Sequence, residues 1–224
     1  MRRILSTKKL LPNQRQYLLN AGFGVVDADF IEVRSTPFAM TGIRENLIFT
    51  SANAVRSVAA HPKVQSIRRH PVFCVGDKTA DVLDEVGFTV VENTDYGADL
   101  AQIISGNYAG ESFTFFCGNL RLDTIPNELR AHQVDFNEIC VYETALTPQQ
   151  VSGSFDAIMF YSPSGVESFL KVSHPADAVC ICIGTTTAAA LSGVTSNVVV
   201  ANRPSVENVI VQTINYYKDQ ELNK

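Results

Sequence analysis

The chain has 224 residues, 46% of them hydrophobic and 18% charged, with a formal net charge of −5. That length suits one large domain or two small ones with a sizeable core, and the composition excludes a disordered chain. No apolar run approaches the roughly 18 residues of a helical membrane span, and an acidic chain without a dense basic run is not a general nucleic-acid binder.

In chain order, Met1-Arg2-Arg3-Ile4-Leu5-Ser6 is basic at its start, but its apolar stretch is too short for a signal peptide. It reads as the first strand. Phe30 to Val33 is extended and runs into Thr36-Pro37, a boundary signal. Leu47-Ile48-Phe49-Thr50 and Val72-Phe73-Cys74-Val75 are apolar strands. Gly76-Asp77-Lys78-Thr79 turns into a helix whose apolar face includes Ala80, Leu83 and Val86 and which Gly87 stops. Phe88 to Val91 is strand again, Asp99 to Ile104 helix, and Phe113 to Phe116 strand. Ile139 to Thr144 is extended and leads to a second Thr-Pro pair, Thr147-Pro148. Strands follow at Ala157–Phe160, Val179–Ile183 and Asn197–Ala201. Short apolar runs bounded by turns suit strands buried on both faces, and their alternation with helices suits parallel α/β sheets.

The chain also repeats itself. A shift of 111 residues aligns Glu32 with Glu143, Thr36 with Thr147, Pro37 with Pro148, Phe49 with Phe160, Ser51 with Ser162 and Val55 with Val166. After a slip of three, a shift of 108 aligns Cys74 with Cys182, Gly76 with Gly184, Thr79 with Thr187 and Leu83 with Leu191. Chance gives about one match in fifteen, scattered. These matches cluster at strand ends and helix starts, so two similar domains follow, with the halves meeting near residue 111. The two Thr-Pro points are the candidate crossovers between domains.

Five cysteines without a CxxC spacing, Cys74, Cys117, Cys140, Cys180 and Cys182, read as buried reduced thiols of a cytoplasmic protein. His61, His70 and His174 each precede proline, and His132 falls near a helix end, so no metal site is expected.

In open parallel sheets, ligands bind beyond the carboxyl ends of the strands. Small polar residues recur there: Ser6-Thr7-Lys8, Thr50-Ser51-Ala52-Asn53, Gly76-Asp77-Lys78-Thr79, Cys117-Gly118-Asn119, Ser162-Pro163-Ser164-Gly165 and Gly184-Thr185-Thr186-Thr187. Each offers N–H groups and a hydroxyl at an expected helix start, which suits an anion. Helix capping is the simpler explanation of any one of them. Six together favour a shared anionic ligand, expected between two walls of a cleft. GxGxxG, GxxxxGK[ST] and GxSxG are all absent, so neither nucleotide binding nor a serine nucleophile is indicated.

At these residues the chain resembles the uroporphyrinogen-III synthase family. The resemblance lies in Asn46 to Val55, Val75 to Ala80 with Gly87-Phe88, Phe116-Cys117-Gly118-Asn119 and Val141-Tyr142-Glu143-Thr144. Phe160 to Val166, Ile183 to Ala188, and Pro204-Ser205 with Glu207 complete it, in order and nearly end to end. Lys8 and Thr185 depart from the family pattern, where arginine and proline are common. The resemblance implies two α/β domains, each a parallel sheet flanked by helices, joined by a two-stranded linker. Residues 1–35 with 148–224 would form the first, discontinuous domain and 37–145 the second, with crossovers near 30–37 and 139–148.

The implied activity is a cofactor-independent lyase that dehydrates and cyclises hydroxymethylbilane to uroporphyrinogen III, inverting ring D through a spiro-pyrrolenine. Tyr142 matches the family tyrosine near the leaving hydroxyl, and a phenol can donate a hydrogen bond to it. Tyrosine in a linker strand also commonly just packs. Candidate ligands of the substrate carboxylates are Thr7, Lys8, Ser51, Ala52, Asn53, Gly76, Lys78, Thr79, Cys117, Gly118, Asn119, Ser162, Ser164, Gly165, Gly184, Thr186 and Thr187. The expected partner is this linear tetrapyrrole, with no nucleic acid and no membrane, and the expected state is a monomer. The competing readings are a noncatalytic two-domain binding or sensor protein for an anionic ligand, and a flavodoxin-like redox module. The second lacks the aromatic pair around a phosphate loop that flavin binding needs.

Overall fold

The structure is a computed structural model and describes residues 1–222. The chain forms two compact units, one of Met1–Glu32 with the segment from Ala145 onward and one of Val33–Thr144. They are called the terminal and the central unit below.

The terminal unit begins with β1 (Arg3–Ser6), α1 (Pro12–Asn20) and β2 (Gly24–Asp27). The chain crosses into the central unit along β3 (Ile31–Ser35). There follow β4 (Asn46–Phe49), α2 (Ala52–Ala59), β5 (Pro71–Val75), α3 (Asp77–Glu85), β6 (Thr89–Thr94) and α4 (Gly97–Asn107). The central unit closes with β7 (Ser112–Gly118), α5 (Thr124–Ala131) and β8 (Asp135–Leu146). The return adds β9 (Ala157–Phe160), α6 (Pro163–Leu170), β10 (Val179–Cys182), α7 (Thr185–Ala189), β11 (Val198–Val200) and α8 (Val206–Leu222).

The terminal sheet has the order β11-β10-β9-β1-β2, and the central sheet β3-β8-β7-β4-β5-β6. Read from β6, the central order matches the terminal one strand for strand and adds β3 at its edge. The pairings of β1 with β2 and β9, and of β10 with β9 and β11, are parallel. So are those of β4 with β5 and β7, of β5 with β6, and of β7 with β8. The apolar runs follow from this. Leu47 and Phe49 enter one core cluster, while Ile48 enters another on the opposite face. Ala157 and Met159 divide from Ile158 and Phe160 in the same way. A strand covered on both faces needs apolar side chains at every position, so its sequence shows a run rather than an alternation.

The duplication is also visible at the crossings. Thr36 N–H donates to Val141 O at 3.1 Å and its hydroxyl to Cys140 O at 3.4 Å. Thr147 N–H donates to Phe30 O at 2.9 Å and its hydroxyl to Asp29 O at 3.0 Å. Under the 111-residue shift these are the same two bonds, made twice.

Several expected elements change extent. The helix expected at 99–104 runs from Gly97 to Asn107, and the strand expected at 197–201 is Val198–Val200. The extended stretch at 139–144 is the centre of the 12-residue β8. Its first third, Asp135 to Glu138, pairs with β7 although its residues are largely polar. Backbone pairing, which no side-chain pattern advertises, makes it a strand. One expectation fails: Cys140 is exposed, whereas Cys74, Cys117, Cys180 and Cys182 are buried. Cys140 lies toward the edge of the central sheet, on a strand followed only by β3.

Candidate active site

The carboxyl end of the central sheet gathers one set of polar groups. Past β4, Ser51 is the extended N-cap of α2 and accepts a hydrogen bond from Asn53 N–H at 3.2 Å. Capping satisfies one of the donors that a helix leaves unpaired at its start. Ser51 also stands near the Tyr142 phenol on β8 and pulls its pKa down.

Tyr142 sits where the register between β7 and β8 slips. Cys117 faces Cys140, but the next residue, Gly118, faces Tyr142, so Val141 is the extra residue of a bulge. A Cβ on Gly118 would lie 2.5 Å from Tyr142 Cε2 and 2.8 Å from its Oη. Asn119 holds the following backbone. Its N–H donates to Tyr142 O at 3.3 Å, its Oδ1 accepts from Thr144 N–H at 2.8 Å, and its Nδ2 donates to Thr144 O at 3.3 Å. Burial raises the Tyr142 phenol above its ordinary range. The nearby Ser51 opposes that, and the Cys117 and Cys140 thiols add to it.

One strand over, Gly76 caps α3 with φ of +86°, a conformation that a side chain would strain. Its N–H is taken by Thr94 O at 2.8 Å. Thr79 is buried at the third helical position, while Lys78 is exposed. Asp77 heads this helix and accepts from Asn93 Nδ2 at 3.0 Å, so a carboxylate already occupies the positive end of the dipole.

The terminal sheet builds the counterpart. Ser162 caps α6, accepting from Gly165 N–H at 3.0 Å, and lies 3.0 Å from the Ser164 hydroxyl. A Cβ on Gly165 would come within 3.3 Å of Ser162 Oγ and 3.7 Å of Thr7 Oγ1, so Thr7, Ser162, Ser164 and Gly165 are neighbours. The Thr7 hydroxyl itself is spent on Met159 O at 2.8 Å. Gly184 caps α7, with Thr186 exposed and Thr187 buried at the third position. α7 has only five residues, so what it offers an anion is local N–H groups rather than a long dipole.

Two of the six expected helix starts are not helix starts. After Ser6-Thr7-Lys8 the helix begins at Pro12, and after Cys117-Gly118-Asn119 at Thr124. In both places the chain leaves the sheet through a loop. Lys8 is exposed, with its carbonyl accepting from Ser6 Oγ at 2.5 Å. The sequence reading also passed over Tyr161, whose hydroxyl meets Ser6 Oγ at 3.2 Å, and over Gln14, whose Nε2 reaches Glu207 Oε1 at 2.6 Å. Tyr161 stands directly before the Ser162 cap, and that position was the available signal. Among the described residues no group of three or more His, Cys, Asp or Glu side chains could hold a metal ion, and no helix is long and apolar enough to cross a membrane.

A family model described as uroporphyrinogen-III synthase HemD matches residues 15–210. The chain belongs to the uroporphyrinogen-III synthase family. A uroporphyrinogen-III synthase of Chlorobaculum parvum is 30% identical over 169 residues, covering 65% of this chain and 68% of the relative. The crystal structure of uroporphyrinogen-III synthetase from Helicobacter pylori superimposes with a TM-score of 0.71 at 21% identity, over 96% of this chain and all of the other. A mutant uroporphyrinogen III synthase of Thermus thermophilus gives the same TM-score at 15% identity, over 98% of this chain and all of that one. At such identities the two structures speak to the fold, and they share it with this uroporphyrinogen-III synthase family member across both units.

Proposed function

We propose that the protein converts linear hydroxymethylbilane to uroporphyrinogen III, with loss of water, inversion of ring D and closure of the macrocycle. The family match across residues 15–210 carries this reading. The placement of Tyr142 supports it from the side of chemistry.

The substrate bears acetate and propionate groups that are anionic at neutral pH. A net charge of −5 gives no long-range attraction, so recognition rests on local donors. We assign these to the ends of α2, α6 and α7 and to the first turn of α3, where the Lys78 ammonium follows the Asp77 carboxylate. They comprise Ser51, Ala52 and Asn53; Gly76, Lys78 and Thr79; Ser162, Ser164 and Gly165 with Thr7 and Lys8; and Gly184, Thr186 and Thr187. Each exposed helix end is worth about 0.3–1 kcal/mol to an anion, so several are needed. Holding the two reacting ends of the chain together is the larger contribution, up to about 7–11 kcal/mol in ideal cases.

Tyr142 then donates a hydrogen bond to the departing hydroxyl. Its raised pKa keeps the phenol protonated at neutral pH, which suits hydrogen-bond donation more than full proton transfer. Ser51, the cap of α2, stands beside the phenol. We further propose that the protein works in the cytoplasm as a monomer, on this small molecule alone and without a cofactor.

The test supplies purified protein with freshly made hydroxymethylbilane, oxidises the products and separates the type I and type III uroporphyrin isomers. Uncatalysed closure gives type I, so an excess of type III is the expected result. Type I alone from folded protein overturns the proposal and leaves an anion-binding two-unit protein.

A further inference from the structure

We infer that Gly118 and Asn119 are positioning residues for the Tyr142 phenol rather than ligands of the substrate. The inference rests on the catalytic reading of Tyr142 for its consequence, but not for its geometry.

Four observations converge on these two residues. The bulge at Cys117/Gly118 turns the chain so that Tyr142 comes opposite Gly118. The Tyr142 ring and hydroxyl occupy the space in which any side chain at Gly118 would stand, since a Cβ there would lie 2.5 Å from Cε2 and 2.8 Å from Oη. Gly118 is not among the glycines with positive φ, so its backbone does not demand glycine. The close approach of the tyrosine does. The Asn119 side chain, finally, is consumed. Its oxygen accepts from Thr144 N–H and its nitrogen donates to Thr144 O, while its own N–H donates to Tyr142 O. A side-chain amide with both ends on one residue two places beyond Tyr142 acts as a clip across the bulged pair.

The two constraints act on different freedoms. Gly118 gives the ring its seat, and Asn119 fixes the backbone from which the ring projects. The phenol is therefore held at the ring and at the backbone. A hydrogen-bond donor misplaced by about 1 Å loses much of its rate contribution, which is the reason to hold it from both sides.

The experiment uses the full chain with ring-labelled tyrosine and follows the phenol by NMR as pH is raised, with Tyr142→Phe deleting and so assigning its signal. In Gly118→Ala and Asn119→Ala the Tyr142 signal is expected to move and its pKa to fall toward the ordinary range, as the phenol leaves its buried seat. Turnover of hydroxymethylbilane to the type III isomer is expected to fall at least tenfold, with KM little changed. Asn119→Asp, which keeps the acceptor for Thr144 N–H, should recover part of the loss. Circular dichroism confirms folding of each variant, and Asn119→Ala serves if Gly118→Ala does not fold. An unmoved signal and pKa in folded variants would overturn the positioning role. A moved signal with turnover intact, alongside a fully active Tyr142→Phe, upholds the positioning and overturns the acid role of Tyr142 instead.

Discussion

The carboxyl edges of the two sheets come from one duplicated plan and have diverged in one respect. Both place a serine cap past the middle strand, Ser51 in the central unit and Ser162 in the terminal one. Both place a glycine cap past the next strand, Gly76 and Gly184. Both also carry a tyrosine with a serine nearby, but the tyrosines are not repeat equivalents. Tyr161 follows β9 directly, and burial drives its phenol far above the ordinary range, against the pull of Ser6. Tyr142 comes from β8, laid across a bare glycine, with Ser51 nearby. Under the proposed function, the helix ends of both units would bind a substrate with many carboxylates, and the one phenol would serve its one leaving hydroxyl. The duplicated fold would then keep its binding parts in two copies and its chemistry in one.

The largest expected effect tests what the two units still share, their buried thiols. Burial raises Cys74 and Cys180 to about 11 and Cys182 to about 12, from 9.0. Burial also takes Cys117 to about 11; Glu138 and Cys140 add to the rise, and Arg121 opposes it. A folded pKa above the unfolded one favours the protonated native state, so stability is full below about pH 9 and is lost as pH climbs through 11 to 12. Each thiol contributes on the order of 3 kcal/mol to that loss once pH passes its folded pKa, and Cys182 the most, at about 1.4 kcal/mol per pKa unit. Urea unfolding measured from pH 7 to 11 should show a flat region and then a steep decline. Cys182→Ala should soften the decline more than Cys74→Ala does, and equal slopes in all variants would remove the thiols as its cause.

The difference between the edges is tested by the two tyrosines. Tyr142→Phe should lower turnover at least tenfold, about 1.4 kcal/mol of barrier, with KM nearly unchanged, because only the departing hydroxyl loses a partner. Tyr161→Phe should leave turnover essentially as it is. The contrast collapses if single-turnover rates of the two variants are alike. The rate should also stay level as pH rises to the ordinary tyrosine range and beyond, since the native phenol holds its proton longer than a free one.

Much of this edge was legible in the sequence, for identifiable reasons. Buried parallel strands leave continuous apolar runs, and duplication let Ser51 vouch for Ser162 and Gly76 for Gly184. What could not be read was registry. Nothing in Phe116-Cys117-Gly118-Asn119 announces a bulge, because its cause is the partner strand. Asn119 reads as a polar loop residue open to ligand, whereas its amide is spent on Thr144, 25 positions away. The start of α1 is not legible after Ser6-Thr7-Lys8, because its buried residues, Gln14 and Leu18, are too few to set an apolar rhythm. Cys140 was placed inside from its apolar neighbours, although edge position decides exposure in β8.

A smaller effect comes from the caps. Ser51→Ala and Ser162→Ala each remove a side-chain acceptor at a helix start and should each cost about 1 kcal/mol of stability. Ser51→Ala should also shift the Tyr142 signal and slow turnover at saturating substrate, because Ser51 stands near that phenol, whereas Ser162→Ala should act on KM alone. Thermal unfolding paired with the isomer assay separates the two consequences. Equal effects of both variants on turnover would mean that the serines act as anion ligands alone.

The smallest effect concerns a single thiol. Of the five cysteines, four are buried in the sheets of both units and Cys140 alone is exposed, on β8 beside the bulge. Thiolate reagents reach only what solvent reaches, and burial also keeps the other four protonated at neutral pH. Native protein should therefore take up one equivalent of iodoacetamide, and unfolded protein five. Peptide mapping should place the native label in the central unit. Cys140→Ala should reduce native labelling to almost nothing with little change in melting temperature, since an exposed thiol buries no apolar surface. Rapid native labelling at Cys180 or Cys182 would show that the terminal sheet opens readily, and the two units would then differ in local stability as well as in chemistry.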